Sequence, residues 1–122
     1  AEPQVATGRF LTALEVKPIL TATRNSWVAV REFNGQDLVY MTHLLSWRCG
    51  LVAIHVGLNG GALEPWPMPE CLEDTATPNA LRDGVIYTSH PLGSVETVTV
   101  EIVYDDLTTD RATFNRLGVL LP

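Results

Sequence analysis

Lysine occurs once in this chain of 122 residues, as Lys17, against seven arginines and fourteen acidic residues. The formal charge of −6 argues against a nucleic-acid partner, because such binding draws most of its affinity from Lys and Arg neutralising phosphates. The same sign disfavours an anionic membrane surface. No apolar run approaches the roughly 18 to 20 residues of a membrane-spanning helix; the best candidate, LVAIHVGL, is broken by His55 and Gly57. Cysteine is nearly as scarce. Cys49 and Cys71 are too few and too far apart for a zinc ribbon, and they form no CxxC of the redox-active kind. HExxH, HxH, GxSxG, GxGxxG and GxxxxGK[ST] are all missing, so no local motif announces a metal cluster, a hydrolase elbow or a phosphate cradle. There is no fixed-period repeat. Charged residues make up only 18%, but hydrophobic residues reach 46%, far from the composition of disordered chains.

The residues present point to one β-rich domain spanning positions 1–122, at the ordinary size for a single hydrophobic core. SWVAVREF and LVYMTHLLSW alternate on either side of Asn34-Gly35, the dipeptide that best tolerates positive φ in a two-residue turn, and so predict a hairpin. LVAIHVGL follows, with Val52, Ile54, Val56 and Leu58 on one face and Asn59-Gly60-Gly61 as a second reversal. VETVTVEIVY sets Val98, Val100, Ile102 and Tyr104 against Thr97, Thr99 and Glu101, the pattern of a strand with one side in water. DDLTTD is a turn, and RATFNRLGVLL a returning strand weakened by Asn115 and Gly118. TGRFLTALEVKP suits a short helical turn through Phe10, Leu11 and Leu14 as well as a strand face through Phe10, Thr12, Leu14 and Val16, of which the strand is preferred, with Pro18 placing ILTAT on a sheet edge or kinking it there. Short strands without interleaved helices predict an all-β fold, an antiparallel β-sandwich of Ig-like architecture, with a small β-barrel as the alternative.

Periodicity vanishes from Ala62 to Arg82, where Pro65, Pro67, Pro69 and Pro78 forbid a long helix or a central strand. Cys71 lies in this stretch, and its pairing with Cys49 predicts a long loop pinned by one disulfide. A disulfide, together with the start AEPQ and no initiator Met, leads to the expectation of an exported protein, periplasmic or extracellular, from which a signal peptide has been removed.

Three functions compete on these residues. EPWPMPEC holds Trp66, Met68 and Glu70 on a proline-stiffened path, which suits capture of a protein partner because little ordering is left to do on binding. The plainer reading makes Trp66 a lid over the open end of the sandwich. His43 and His55 share strand parity in the expected sheet and, with Met41, suit copper or zinc if their strands pair. A pocket between the sheets, with one histidine and an acid such as Glu70 or Asp74, would suit a small hydrolase or isomerase. His90, before Pro91, reads as an extended loop residue. DDLTTD, with Asp105, Asp106 and Asp110, reads as a solvated turn rather than a calcium loop. No cofactor is called for, the enzymatic reading is the weaker one, and an exposed sheet edge leaves room for a homodimer. With so little lysine, the arginines are expected to pair with carboxylates such as Glu32 and Glu101.

Overall fold

The computed structural model describes residues 12–68, 71 and 85–121. Asn34 and Gly35 both take positive φ, 54° and 75°, and close the hairpin of β1 (Ala29–Phe33) and β2 (Gln36–Tyr40). β5 (Tyr87–Pro91) pairs antiparallel with the other side of β2, completing a three-stranded sheet in the order β1-β2-β5. A second antiparallel sheet runs β4-β3-β6-β7, from β3 (Leu51–Leu58), β4 (Glu64–Pro65), β6 (Thr97–Tyr104) and β7 (Thr109–Asn115). The inner faces meet in one core that joins Val39 of the first sheet to Ile54, Val98, Val100, Ile102, Tyr104 and Phe114 of the second. The architecture is therefore the expected all-β sandwich. The barrel alternative falls, because the strands divide into two sheets and do not close into one.

β6 follows its sequence pattern closely: Val98, Val100, Ile102 and Tyr104 are buried, while Thr97, Thr99, Glu101 and Val103 alternate with them on the partly exposed side. β3 departs from its pattern at one place. A bulge between Leu51 and Ala53 shifts the register against β6, so Val52 is 53% exposed while Leu51 and Ile54 are both buried. The extra residue of a bulge is left unpaired and rotates its neighbours, so Val52 does not share the face of Ile54 as simple alternation requires.

Two segments expected as strand are helical. Ala13–Ala22 is a helix, α1, whose buried residues Ala13, Val16 and Leu20 recur at intervals of three and four while Leu14 is 49% exposed. That spacing is one helical face and does not fit a two-residue period. Pro18 lies inside α1, and ILTAT continues the helix instead of a sheet edge. Phe10 lies outside the described residues. MTHLLSW leaves the sheet after Tyr40 and turns into α2 (Thr42–Leu45). Leu44 and Leu45 are consecutive and both fully buried, which a strand wetted on one side cannot achieve and a helical turn can. A 3₁₀ turn at Arg48–Gly50 then delivers the chain to β3.

Charged side chains fasten the two layers at one end. Arg116, just past β7, forks onto both oxygens of the fully buried Asp37 on β2 at 2.5 and 2.6 Å, and reaches Glu32 on β1 at 2.5 Å. Asp37 also accepts the Val95 N–H at 3.0 Å. Arg111 lies 4.0 Å from Glu101, so the pairing of arginines with Glu32 and Glu101 is observed. Arg24 pairs with Asp110, and Lys17 with Asp106 at 2.8 Å.

Candidate functional site

Because Arg116 closes the sandwich at the β1 and β7 side, the opposite side is where the sheets part. There β4 and β5 form the two rims of a cleft of about 320 Å³. β3 contributes Val56 and Leu58 from its inner face, β4 and the residues after it contribute Glu64 and Trp66, and β5 contributes Thr88 and His90. Apolar surface predominates, and Glu64, exposed at the mouth, is the one carboxylate in the lining among the described residues. Among the described residues no lysine or arginine lines it.

Trp66 is the fixed part of this cleft. The turn at Asn59 and Gly60, both with positive φ, reverses β3 into β4 and registers Pro65 opposite His55. One residue further on, the Trp66 main-chain N–H donates to the Ile54 carbonyl at 2.8 Å, and its indole N–H donates to the Val85 carbonyl at 2.9 Å. The side chain retains 7% exposure. A tryptophan held through both N–H groups has its ring plane and orientation set before anything binds. The indole thus faces inward as a wall between the two sheets, and Met68 is half-buried against the same core. Neither projects from the loop. Glu70, the third residue of that expected surface, lies outside the described residues, as do Glu73 and Asp74.

The expected disulfide is present: Cys49 and Cys71 are joined, with Cα atoms 5.2 Å apart. It ties the segment after Trp66 to the turn that begins β3.

The histidines are distributed differently from the strand-parity expectation. His43 belongs to α2, not to a strand, and its Nε2 lies 2.9 Å from the Thr23 hydroxyl, with burial pushing its pKa down. His55 stands on β3 opposite Glu101 of β6 and Pro65 of β4. The strands of His43 and His55 therefore do not pair, as a shared site required, because one of them is not a strand. Met41 is fully buried in the core. Among the described residues no group of three His, Cys, Asp or Glu side chains is placed to hold a metal ion. His90 is not a loop residue but part of β5, where its Nε2 lies 2.8 Å from the Thr88 hydroxyl on the same inner face.

The cleft residues Glu64, Thr88 and His90 escaped the sequence reading. The run Val85, Ile86, Tyr87, Thr88 is rich in strand formers and marks β5, but it directly follows the aperiodic proline segment. A larger hollow of about 510 Å³ lies on α1, beside Leu14, Pro18 and Thr21. Its charges are already engaged, since Lys17 holds Asp106 and donates to the Thr108 hydroxyl at 2.6 Å.

Comparison with known proteins returns nothing to set beside this geometry: no family model, no curated protein and no solved structure matches the chain.

Proposed function

We propose that this domain is an exported binding module, working in the periplasm or outside the cell, that captures a protein partner at the cleft between β4 and β5. The observation that carries this reading is the clamped indole of Trp66 forming one wall of an apolar inter-sheet cleft of about 320 Å³. A wall already held in place loses little conformational freedom on binding, so more of the contact energy is expressed as affinity. The volume lies at the low end of small-molecule sites and suits one or two side chains of a partner better than a large cofactor. Export is supported by the Cys49–Cys71 bond, which persists in oxidising compartments. Among the described residues no helix is long and apolar enough to cross a membrane.

The test uses a side-chain mimic. N-acetyl-leucinamide titrated into isotopically labelled protein is expected to move the indole resonance of Trp66 and the methyl resonances of Leu58 together. Leu58→Arg, which fills the cleft from its partly exposed wall, is expected to abolish the Trp66 indole shift while the amide spectrum of β6 and β7 stays in place. A Trp66 indole shift that survives in Leu58→Arg, or that never occurs in the unmodified domain, would sink the reading.

A further inference from the structure

Among the described residues the same cleft lies beside an open strand edge, and the hydrogen-bond phase of that edge is fixed. Among the described strands β5 is the outer one of its sheet. The Met41 N–H donates to the Ile86 carbonyl at 2.9 Å, one step beyond the register pair Tyr40 and Tyr87. In an antiparallel ladder, residues that bond to the partner strand alternate with residues whose main-chain groups face away. Thr88 and His90 accordingly bond toward Val39 and Asp37, while Tyr87 and Ser89 turn N–H and C=O away from β2. Among the described residues these outward groups have no hydrogen-bond partner. The row stops at Pro91, which has no N–H and whose carbonyl accepts from the Ser94 N–H at 3.0 Å.

Resting on the cleft reading above, we infer that the occupant is an extended basic peptide segment that adds to β5 as a further strand. Peptide residues directly opposite Tyr87 and Ser89 would exchange main-chain bonds with them and point their side chains outward. The alternate residues, flanking them, would point inward beside Thr88 and His90, over the cleft. One inward side chain then meets Trp66, Val56 and Leu58 and is apolar. The next meets Glu64, the only carboxylate of the lining among the described residues, which place no Lys or Arg beside it, and is Lys or Arg. The excess of negative charge on the chain acts in the same direction. Strand addition supplies affinity through the backbone, and the cleft supplies selectivity through alternate side chains.

An array of capped pentapeptides, acetyl-Ser-X-Thr-Z-Ser-amide with X and Z varied over all amino acids, tests this with the intact disulfide-bonded domain. Binding is expected for apolar X with Lys or Arg at Z, and in the reversed order, with Glu in place of Lys weakening it about fivefold. Methylating the central threonine nitrogen removes one ladder bond and is expected to weaken binding about tenfold. Ser89→Pro deletes an outward N–H at an edge position where proline is tolerated, and is expected to lose peptide about tenfold while Ser89→Ala keeps it. Should Ser89→Pro fail to fold, the methylated peptide on the unmodified domain decides. Equal affinity of methylated and parent peptides would overturn strand addition. So would an array that retains nothing while N-acetyl-leucinamide still moves the Trp66 resonance, and in that case the cleft reading stands. A dimer that forms with rising concentration and is abolished by Ser89→Pro would replace the peptide with a second copy of this chain. If N-acetyl-leucinamide is also without effect, the cleft reading falls as well.

Discussion

Asp37 is the residue on which the closed end of the sandwich depends. Its carboxylate is fully buried, and the Arg116 guanidinium, followed by the Val95 and Gly93 N–H groups, holds its pKa far below the ordinary range. Burial alone would push the other way, so the bidentate arginine wins over desolvation. Asp106 is lowered to about 2, chiefly by the Lys17 ammonium and then by the Thr108 hydroxyl and N–H. For both groups the folded pKa lies beneath the unfolded one, near 3.8. Their stabilisation is therefore complete above pH ~4 and is lost as pH falls through the folded values. Urea midpoints measured from pH 7 to pH 2 are expected to decline gently below about pH 6.5, where the unfolded chain protonates His43 more readily than the folded one, and to drop steeply below about pH 4. Arg116→Gln removes the group that depresses Asp37, so its midpoint is expected to be lower at pH 7 and the difference from the unmodified domain to narrow toward pH 2. A constant difference across that range would show that Arg116 acts through packing and not through Asp37.

At the scale of elements, the helix α1 is seated by a missing side chain. A Cβ built on Gly50 would stand 2.7 Å from both Cβ and Cγ2 of Val16 and 3.0 Å from the Thr12 carbonyl oxygen, so the helix lies directly on the backbone of the turn before β3. Gly50→Ala is expected to cost about 1–3 kcal/mol in chemical denaturation, the usual range for overpacking a filled interior. Val16→Ala in the same chain removes one of the clashing atoms, so the double variant is expected to lose less than the two single losses added together. Strict additivity would show that α1 docks elsewhere. This contact also explains why α1 was hard to read. Its buried face is only Ala13, Val16 and Leu20, too narrow to compete with the alternation that Thr12, Leu14 and Val16 offer by chance. The β1–β2 hairpin and β6 were legible because a positive-φ turn at Asn34-Gly35 and a one-sided β pattern are local signals. α2 was obscured because Leu44 and Leu45 extend an apolar run that a strand and a buried helix share. The cleft was legible in one residue, Trp66. The rest is built from Val56, Leu58, Thr88 and His90, which meet across two sheets, and no local pattern records which edges of a sandwich face each other.

For the whole molecule the question is what keeps the proline-rich segment in place beside an open cleft. Cys49 and Cys71 are 22 positions apart, and closing a loop of that size contributes roughly 3 kcal/mol by restricting the unfolded chain. That contribution belongs to global stability and says nothing about the conformation of Trp66. Trp66 has its own fastening, one hydrogen bond to Ile54 of β3 and one to Val85 just before β5, and these join the two sheets without involving the disulfide. The two devices are therefore separable. In the variant carrying Cys49→Ala and Cys71→Ala, global stability by chemical denaturation is expected to fall by roughly 3 kcal/mol. Under conditions where that variant remains folded, the Trp66 indole N–H is expected to stay slow to exchange with solvent deuterium, because breaking it requires parting β4 from the start of β5. N-acetyl-leucinamide is then expected to bind the variant with the affinity of the oxidised domain. If the indole instead exchanges at the rate of an exposed tryptophan while the β6 amides remain protected, the disulfide is what shapes the cleft, and binding at this site becomes responsive to the redox state of the compartment.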